Sequence, residues 1–385
     1  MLGAGKAAPA MAAQAARLLG VRLRGGLVVG LPPVEARAPL EGVGGGHPVP
    51  TDASVDAGWR ALALAAGRAD GDALIVLLSG GASALMAQPA PGVTLEDKQS
   101  ATATLLRNSA DIGSLNAVRK HLSTIKGGGL AAATRAACWT LAISDVVDDD
   151  LSVIGSGPTV ADPSTFDGAL EGLRDHGGLD AFSPRVVARL ERGVRGELAE
   201  TPKPGDARLA RSEAFVIGGR ADAMSGAAEE AARLGYRVLV VDEAVTGEAR
   251  DAARAYLARV RSAAVAGERP LCVISSGETT VTVRGTGTGG RNQEFTLAAA
   301  IGLASLGSVV ACASVGTDGV DGPTRAAGAI ADDSTVRRAA RASLPPIEDY
   351  LRRNDAGSFF EALGDLVVTG PTGTNVGDLQ VLLIQ

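Results

Sequence analysis

The sequence predicts an α/β fold in two domains, and three observations support this. Short runs of Val, Leu and Ile alternate with longer Ala-, Leu- and Arg-rich segments of helical period, which is the pattern of a parallel sheet covered by helices. Gly-rich turns follow several of the apolar runs. The chain has 385 residues, of which 46% are hydrophobic, so it can bury a large core and is longer than one average domain needs.

Each apolar run predicts a strand, and each longer periodic segment predicts a helix. In chain order, the predicted strands are 26–29, 73–78, 139–144, 214–217, 237–241, 271–275 and 309–314. The predicted helices are 7–19, 55–67, 95–108, 115–134, 221–234, the segment after Glu248 to about 266, and one that begins at Arg291.

The sequence GERP at residues 267–270 interrupts the chain between the last long Ala/Arg helix and the next apolar run. We therefore predict an N-terminal domain of residues 1–266 and a smaller C-terminal domain of residues 267–385. The segment 196–211, with two prolines and mixed charge, is an alternative surface linker.

The composition excludes several functional classes. Aromatic residues make up only 3% of the chain and the net charge is −6, which argues against a nucleic-acid-binding surface. The three cysteines are scattered in or beside apolar stretches and form no CxxC pair, as expected in a reducing compartment. No apolar run approaches twenty residues and no signal-peptide pattern is present, so we expect a cytoplasmic protein.

Five Gly-rich turns hold most of the unusual polar residues. Glycine lets backbone N–H groups approach an anion closely, and a helix that begins behind such a turn adds the positive end of its dipole. Several such turns in one chain indicate that a polyanion is bound. They lie at residues 3–6, 79–83, 289–294, 316–322 and 372–375.

The first turn, GAGKAA at residues 3–8, matches the dinucleotide fingerprint G-x-G-x-x-G/A. A nicotinamide enzyme also needs an acidic residue at the end of the second strand to hold the ribose hydroxyls, and residues 27–31 contain none. Lys6 instead places a fixed positive charge at a helix start, which suits a phosphate. The alternative is a solvated lysine at a helix end.

Two further clusters in the N-terminal half suggest anion binding. The turn SGGAS, residues 79–83, would point its N–H groups into the crevice at the carboxyl end of the sheet, although it could equally be a tight strand-to-helix turn. On one helix, Asn116, Arg119 and Lys120 are predicted to share a face that could clamp a carboxylate or phosphate, with a solvated stripe as the alternative.

His47, in the loop GGGHPVP, either hydrogen-bonds a substrate hydroxyl or caps its own loop. The chain has only three histidines, which makes a Ser-His-Asp triad or a His-rich zinc site hard to assemble. Magnesium prefers one or two carboxylates together with phosphates and water. Asp318 and Asp321 fit this better than the aspartates at 145 and 148–150, although aspartates also form turns.

Arg291 opens a predicted helix directly behind Gly289 and Gly290. A helix start disfavours a cation because of the macrodipole, so this position has a local cost. A guanidinium that emerges from a loop suits bidentate contact with a carboxylate or phosphate, and this favours a functional role.

Nine motifs, in this order, resemble those of the glycerate 2-kinase family, and together they cover nearly the whole chain. They are GAGKA, GGGHPVP, SGGASAL, NAVRKHLSTIKGGGLA, SDVVDDDLSVIGSGPT, SSGETTV, GGRNQE, GTDGVDGPT and TGPTGTNVGDL. The resemblance implies a Rossmann-like α/β/α N-terminal domain and a smaller α/β C-terminal MOFRL domain, with an active site in the cleft between them.

The resemblance also implies ATP-dependent, Mg²⁺-assisted phosphorylation of D-glycerate at its 2-hydroxyl, giving 2-phosphoglycerate and ADP. Carried onto this chain, the catalytic lysine is Lys6 and the catalytic arginine is Arg291. Phosphoryl transfer depends mainly on positioning and charge stabilisation, which a lysine, an arginine, a metal and Gly-rich turns supply.

On this basis we expect the following roles for the remaining residues. Nucleotide phosphates would bind at Ser79, Gly80, Gly81 and Ser83, and the carboxylate or phosphate oxygens at Asn116, Arg119 and His121. Asp318 would hold magnesium, together with Asp321, or orient the glycerate hydroxyl. The expected partners are ATP and D-glycerate, without nucleic acid or membrane, and a homodimer is a possible assembly.

Two alternatives stay open: a hydroxypyruvate reductase, which would need a nicotinamide site, and a catalytically silent relative that only binds nucleotide or sugar acid. The family has a full first strand before GAGKA, whereas Met1 and Leu2 are the only residues before this motif. From the sequence we therefore expect a weakly anchored first strand and a frayed Lys6.

Overall fold

The structure is a computed structural model that describes residues 1–266, 269–306 and 309–385. The chain forms two compact units, Met1–Ile217 and Gly218–Gln385. Each unit is built around its own six-stranded sheet.

The first unit alternates strands and helices as the sequence predicts. Its strands are β1 (Leu2–Ala4), β2 (Gly26–Gly30), β3 (Leu40–Gly44), β4 (Ala73–Leu78), β5 (Ala137–Ile143) and β6 (Ser212–Gly218). Its helices are α1 (Ala8–Leu19), α2 (Asp52–Ala66), α3 (Ala82–Leu85), α4 (Leu95–Arg107), α5 (Ile112–His121), α6 (Gly129–Ala132), α7 (Phe166–Asp175) and α8 (Pro184–Val194).

The sheet of the first unit has the strand order β3-β2-β1-β4-β5-β6. The pairs β1–β2, β1–β4, β2–β3 and β4–β5 are parallel. This is the doubly wound order of Rossmann-like folds, in which the chain direction across the sheet reverses between the first and fourth strands. Ligands of open α/β sheets bind at the carboxyl ends of the strands beside such a switch point, here β1 and β4.

Strand β1 is only three residues long, yet it is firmly anchored, contrary to the expectation from the sequence. All three residues are buried and pair with β2 on one side and β4 on the other. The amino group of Met1 donates to the carbonyl of Gly25 at 2.9 Å. Pairing on both sides satisfies the backbone groups of a short strand, so Lys6 follows an ordered segment.

The predicted helix 115–134 is wrong in its second half, although the other predicted helices are present. Helix α5 ends at His121, and a separate turn of helix, α6, begins at Gly129. Gly127 and Gly128, with φ of 54° and 81°, adopt left-handed conformations that a continuous right-handed helix over this segment would not contain.

The second unit contains α9, β7 and α10 in addition to the segment predicted as the C-terminal domain. The described strands are β7 (Arg237–Glu248), β8 (Leu271–Thr280), β9 (Val310–Gly316), β10 (Gly328–Asp332), β11 (Leu366–Val367) and β12 (Asp378–Ile384). The described helices are α9 (Arg220–Arg233), α10 (Ala249–Ala266), α11 (Arg291–Leu303), α12 (Thr335–Arg341), α13 (Ile347–Arg353) and α14 (Ala356–Leu363).

The predicted domain boundary between residues 266 and 267 falls inside this second unit, and residues 267 and 268 lie outside the described range. Residues 218–266 belong to the second unit because β7 pairs with β8 along most of its length. The spatial division at 217/218 lies at the end of β6, the strand that directly follows the alternative linker at 196–211.

The second sheet has the order β11-β10-β9-β12-β8-β7 and is mostly antiparallel, whereas the sequence pattern predicts parallel pairing. Only β7–β8 is parallel among the pairs described, and β12 lies antiparallel between β8 and β9. Helix α11 packs against this sheet and is buried on nearly all sides, including Phe295 and Leu297. Among the residues described, no helix combines the length and apolarity needed to cross a membrane.

We predict opposite effects on stability for two helical Gly→Ala substitutions. A Cβ at Gly193 in α8 would overlap the Phe166 ring, whereas a Cβ at Gly226 in α9 has no heavy atom within 4 Å. Gly193→Ala should lower the free energy of unfolding by about 1–3 kcal/mol through overpacking. Gly226→Ala should raise it by about 0.5–1 kcal/mol through helix propensity. Denaturant-induced unfolding of both variants tests this, and equal effects would contradict the packing at Phe166.

Candidate active site

The turns that follow β1 and β4 are joined at the switch point of the first sheet. The backbone N–H of Lys6 donates to the carbonyl of Gly80 at 2.9 Å, and the N–H of Ala7 donates to Ser79 Oγ at 3.0 Å. A Cβ at Gly5 would collide with Ser79, so this close approach requires glycine. The Ser79 side chain, fully buried, therefore links the two turns and is not presented to a ligand.

The backbone of Gly81 lies between the side chains of Lys6 and His47. A Cβ at Gly81 would lie 3.0 Å from His47 Cδ2 and 3.5 Å from Lys6 Cγ. The φ of Gly81 is 87°, and this residue caps the short helix α3. The structure thus brings together Lys6, the SGGAS turn and His47, three features that the sequence analysis singled out separately.

Ser83 is the centre of a second polar group beside this turn. Its Oγ accepts a hydrogen bond from Arg119 Nη2 at 2.6 Å and another from Lys126 Nζ at 2.7 Å. Ser83 Oγ also lies 2.8 Å from Ser156 Oγ, and Ser156 Oγ donates to Asn116 Oδ1 at 3.1 Å. Asn116, Arg119 and Ser83 are therefore brought together, although the sequence analysis assigned Ser83 to the nucleotide phosphates and the other two to carboxylate or phosphate oxygens.

His121 and Lys120 do not join this group. His121 is buried, with Nδ1 2.7 Å from the carbonyl of Ala117 and Nε2 2.9 Å from Glu200 Oε2. Lys120 forms a buried ion pair of 3.0 Å with Asp162. Successive residues of a helix point about 100° apart, so Lys120 and His121 leave the face that carries Arg119. Lys120 therefore does not join Asn116 and Arg119 at the Ser83–Ser156 pair, and His121 is held in buried contacts with Ala117 and Glu200.

In the second unit, two carboxylates orient Arg291, the buried Asp378 and the exposed Glu278. Its Nε and Nη2 donate to the two carboxylate oxygens of Asp378 at 2.7 and 2.9 Å, and Nη1 lies 2.9 Å from Glu278 Oε1. Burial opposes the charged guanidinium, but the hydrogen bonds and charge of Asp378, with Glu278 and Asp321, raise the pKa of Arg291 above its ordinary value. Arg291 is therefore a permanent, oriented charge, with its side chain one-third exposed.

Asp321 holds the N-terminus of α11. Its Oδ1 accepts from the backbone N–H of Asn292 at 3.0 Å, and its Oδ2 accepts from the N–H of Gln293 at 2.8 Å. Burial raises the pKa of Asp321 to about 6, against the effect of these backbone hydrogen bonds. These contacts satisfy two N–H groups that every helix start leaves without an intrahelical partner.

Two further residues of the GGRNQE motif, Asn292 and Glu294, also make buried contacts. Asn292 donates from Nδ2 to Asp378 and accepts from Ser314 Oγ at 2.6 Å. Glu294 is 2% exposed and accepts from Arg250 Nε at 2.9 Å. A buried carboxylate is tolerated only when paired in this way. The motif therefore fixes α11 and leaves Arg291 at its accessible end.

The expected magnesium pair is not supported by the geometry of Asp321. Within the described ranges, no group of three or more His, Cys, Asp or Glu side chains could hold a metal ion. Asp318, by contrast, lies half-buried in the loop after β9, where its Oδ1 accepts from the N–H of Val320 at 3.1 Å. One carboxylate plus substrate phosphates is a donor set that fits Mg²⁺, so Asp318 alone suits this role.

Sequence reasoning did not select Asp378, Glu278, Ser156 or Lys98. The first three lie inside the quoted motifs TNVGDL, SSGETT and GSGPT, which was the available signal. Their partners, however, lie on other elements of the fold, for example Arg291 and Asp378 with a separation of 87 residues. Such pairings depend on strand register and cannot be deduced from local spacing.

We predict that Asp321→Ala and Asp318→Ala have different effects on stability. Asp321→Ala leaves two helix-start N–H groups in a buried site without an acceptor and should lower the free energy of unfolding by about 1–3 kcal/mol. Asp318→Ala, in a half-buried loop, should cost less than about 1 kcal/mol. Denaturant unfolding followed by circular dichroism measures both. A stable Asp321→Ala variant with altered Mg²⁺ dependence would instead restore Asp321 as a metal ligand.

Comparison with protein families agrees with this architecture. A family model described as a domain of unknown function (DUF4147) matches residues 1–191, and the MOFRL family model matches residues 271–378. The chain is 38% identical over 392 residues to D-glycerate 2-kinase of Thermotoga maritima, covering 100% of this chain and 90% of that protein. It is 39% identical to a protein of Agrobacterium vitis named "Putative hydroxypyruvate reductase", covering 100% of this chain and 86% of the relative.

The fold is also that of a solved structure. A crystal structure of glycerate kinase from Thermotoga maritima matches with a TM-score of 0.87 and 38% identity, covering 100% of this chain and 91% of that one. These similarities extend over both units and over nearly the full length of the relatives. The chain belongs to the glycerate 2-kinase family, with a MOFRL domain in its C-terminal part.

Proposed function

We propose that this protein transfers the γ-phosphoryl group of ATP to the 2-hydroxyl of D-glycerate, giving 2-phosphoglycerate and ADP. The observation that carries the proposal is the position of Lys6, which follows the central strand β1 and lies beside the SGGAS turn. A cation and the backbone N–H groups of a Gly-rich turn at a switch point form an anion-binding site. Similarity to relatives named as glycerate 2-kinases supports the choice of reaction.

The first unit would supply the phosphate-binding groups. We assign Gly80 and Gly81 to the nucleotide phosphates and Lys6 to the charge of the transferred phosphoryl group. His47, whose ring flanks Gly81, is placed to hydrogen-bond the acceptor hydroxyl. The hydroxyl oxygen attacks the γ-phosphorus, the bond from that phosphorus to the β–γ bridging oxygen breaks, and the hydroxyl proton is released.

The second unit would supply an oriented cation. Asp378 and Glu278 fix the guanidinium plane of Arg291, so the charge needs no reorganisation as negative charge develops on the phosphoryl oxygens. Bound Mg²⁺ would neutralise charge on the ATP phosphates, and Asp318 is the carboxylate that fits it.

A hydroxypyruvate reductase is the second candidate, because two similar relatives carry that name. Such an enzyme needs an acidic residue at the end of β2 for the ribose hydroxyls of a nicotinamide cofactor. Strand β2 ends at Gly30 and is followed by Leu31, so this requirement is not met. The sequence and the fold of this strand therefore favour the kinase.

We also place the enzyme in the reducing cytoplasm, which its three free, buried cysteines support.

We predict that Lys6→Ala and Arg291→Ala each lower kcat for phosphate transfer to D-glycerate by at least about 10²-fold, the scale of losing one charge-stabilising group. Arg291→Lys should also be impaired, because an ammonium cannot make the bidentate contact with Asp378. Lys203→Ala is the matched control, since Lys203 pairs with Glu200 away from Lys6 and should leave kcat unchanged within about twofold.

The assay should use ATP, Mg²⁺ and D-glycerate and should separate 2- from 3-phosphoglycerate. Formation of 2-phosphoglycerate that Lys6→Ala and Arg291→Ala abolish supports the proposal. No transfer, together with reduction of hydroxypyruvate by NADH or NADPH, would overturn it. Binding of ATP without either reaction would identify a catalytically silent relative.

A further inference from the structure

Three basic side chains surround Ser83 in the first unit without a carboxylate to balance them. Lys98 and Lys126 are buried, with exposures of 7% and 3%, and Arg119 is half-buried. Within the described residues, no Asp or Glu oxygen lies within 4.0 Å of their charged nitrogens. This contrasts with Lys120 one residue along α5, which pairs with Asp162.

Lys98 has a structural role at the carboxyl end of α5. Its Nζ donates to the carbonyl of Leu122 at 2.9 Å and lies 3.5 Å from the carbonyl of Arg119. A cation at this position satisfies the last carbonyls of a helix and complements its dipole. The other two cations, Arg119 and Lys126, are directed to Ser83 instead.

Arg119 and Lys126 converge on one neutral acceptor. Both donate to Ser83 Oγ, and Lys126 Nζ also donates to the carbonyl of Ser83 at 2.8 Å. Because Ser83 Oγ accepts from two donors, its single hydrogen is directed to Ser156 Oγ, which passes its own hydrogen to Asn116 Oδ1. This chain of hydrogen bonds turns the lone pairs of Ser83 Oγ toward Arg119 and Lys126. It fixes the positions of the two cations without neutralising their charge.

Burial of these cations has an electrostatic cost. Burial, with the charges of Arg119 and Lys98, lowers the pKa of Lys126 well below its ordinary value. Burial, with the charges of Arg119 and Arg189, lowers the pKa of Lys98 to about 7. Unpaired buried charges are destabilising, and an anion bound between them would remove this cost.

A cavity of about 200 Å³ opens at these side chains. Its polar lining includes Ser83, Lys98, Arg119 and Lys126, and its apolar lining includes Val49 and Pro50. Pockets for drug-sized ligands are about 300–1,000 Å³, so this cavity suits a molecule of a few heavy atoms and not a nucleotide. Pro48 and Val49 in its wall directly follow His47, whose ring lies beside Lys6 and Gly81.

We propose that this cavity binds the carboxylate of a small organic acid through an ion pair with Arg119 and Lys126. The proposal rests on the proposed function and extends it, because it assigns the acceptor substrate to a different subsite from the nucleotide phosphates. A neutral polyol such as glycerol is rejected, since it would leave both cations buried and unpaired. Arg119 and Lys126 are thus specificity-determining residues for acids over alcohols.

Direct binding tests the proposal without turnover. Titration calorimetry without nucleotide should show binding of D-glycerate to the unmodified protein and none of glycerol at the same concentration. Lys126→Met and Arg119→Gln should each weaken D-glycerate binding at least tenfold. The control Arg107→Gln, on the exposed surface of α4, removes a positive charge outside the cavity and should change binding less than twofold.

The variant Lys126→Met also tests whether Lys126 has only a structural role. Replacing an unpaired buried charge by an apolar side chain of similar length should leave the melting temperature in the absence of ligand equal to or above that of the unmodified protein. D-glycerate should raise the melting temperature of the unmodified protein and not of the variant. A lower melting temperature without ligand, with D-glycerate still stabilising the variant, would overturn the proposal.

Kinetics distinguish whether the anion that binds these cations is the carboxylate of D-glycerate or a phosphate of ATP. In Lys126→Met, KM for D-glycerate should rise at least tenfold while KM for ATP changes less than twofold. A rise in KM for ATP alone would assign the cations to a nucleotide phosphate and overturn the proposal. If D-glycerate binds in a Lys126-dependent manner and no phosphate is transferred, the kinase proposal fails and the carboxylate subsite stands. If phosphate is transferred and KM for D-glycerate is unchanged in the variant, the kinase proposal stands and the carboxylate subsite fails.

Discussion

The candidate site of the first unit depends on the hydrogen bonds that join the turn after β1 to the turn after β4. Lys6 donates its N–H to Gly80, and Ser79 accepts from the N–H of Ala7, so the two turns form one rigid surface at the switch point. This pairing requires the two strands to be adjacent and parallel, which the register of Leu2–Ala4 against Val76–Leu78 provides. The positions of Lys6, Gly81 and His47 all follow from it.

Buried charged groups have different kinds of partner in the two units. In the second unit, each of the buried acids Asp378, Glu294 and Asp321 has an Arg partner or helix N–H donors. The result is a positively charged group, Arg291, whose orientation is fixed by Asp378 and Glu278. In the first unit, Arg119 and Lys126 share a neutral hydroxyl and have no carboxylate partner among the described residues. That arrangement leaves two positive charges that a bound anion would neutralise.

Phosphoryl transfer benefits from both arrangements, since positioning and charge stabilisation are its main requirements. In the proposed function, an oriented Arg291 would act on charge that develops during the reaction, whereas the cation pair Arg119 and Lys126 would select an acid in the ground state. Of the buried lysines in the first unit, Lys98 contacts carbonyls of α5, Lys120 pairs with Asp162, and Lys126 donates to Ser83. Asp318 and Asp321, three residues apart in one loop, also differ: Asp318 is half-buried and is proposed to hold Mg²⁺, whereas Asp321 caps α11.

The sequence by itself determined the α/β class, most helices and strands and the family, and it singled out Lys6, Arg291, Ser83 and Arg119 as candidate site residues. These signals are local: apolar periodicity, Gly-rich turns, and motifs whose spacing follows from one helix or one turn. Tertiary structure alone decided that β12 lies between β8 and β9, that β1 is anchored despite its three residues, and that α9, β7 and α10 belong to the second unit. It also decided that His121 faces Glu200, that Asp378 orients Arg291, and that Lys126 reaches Ser83. The physical reason is the same throughout: these pairings join side chains or strands far apart in the chain, and register and burial, which no local pattern encodes, select the partner.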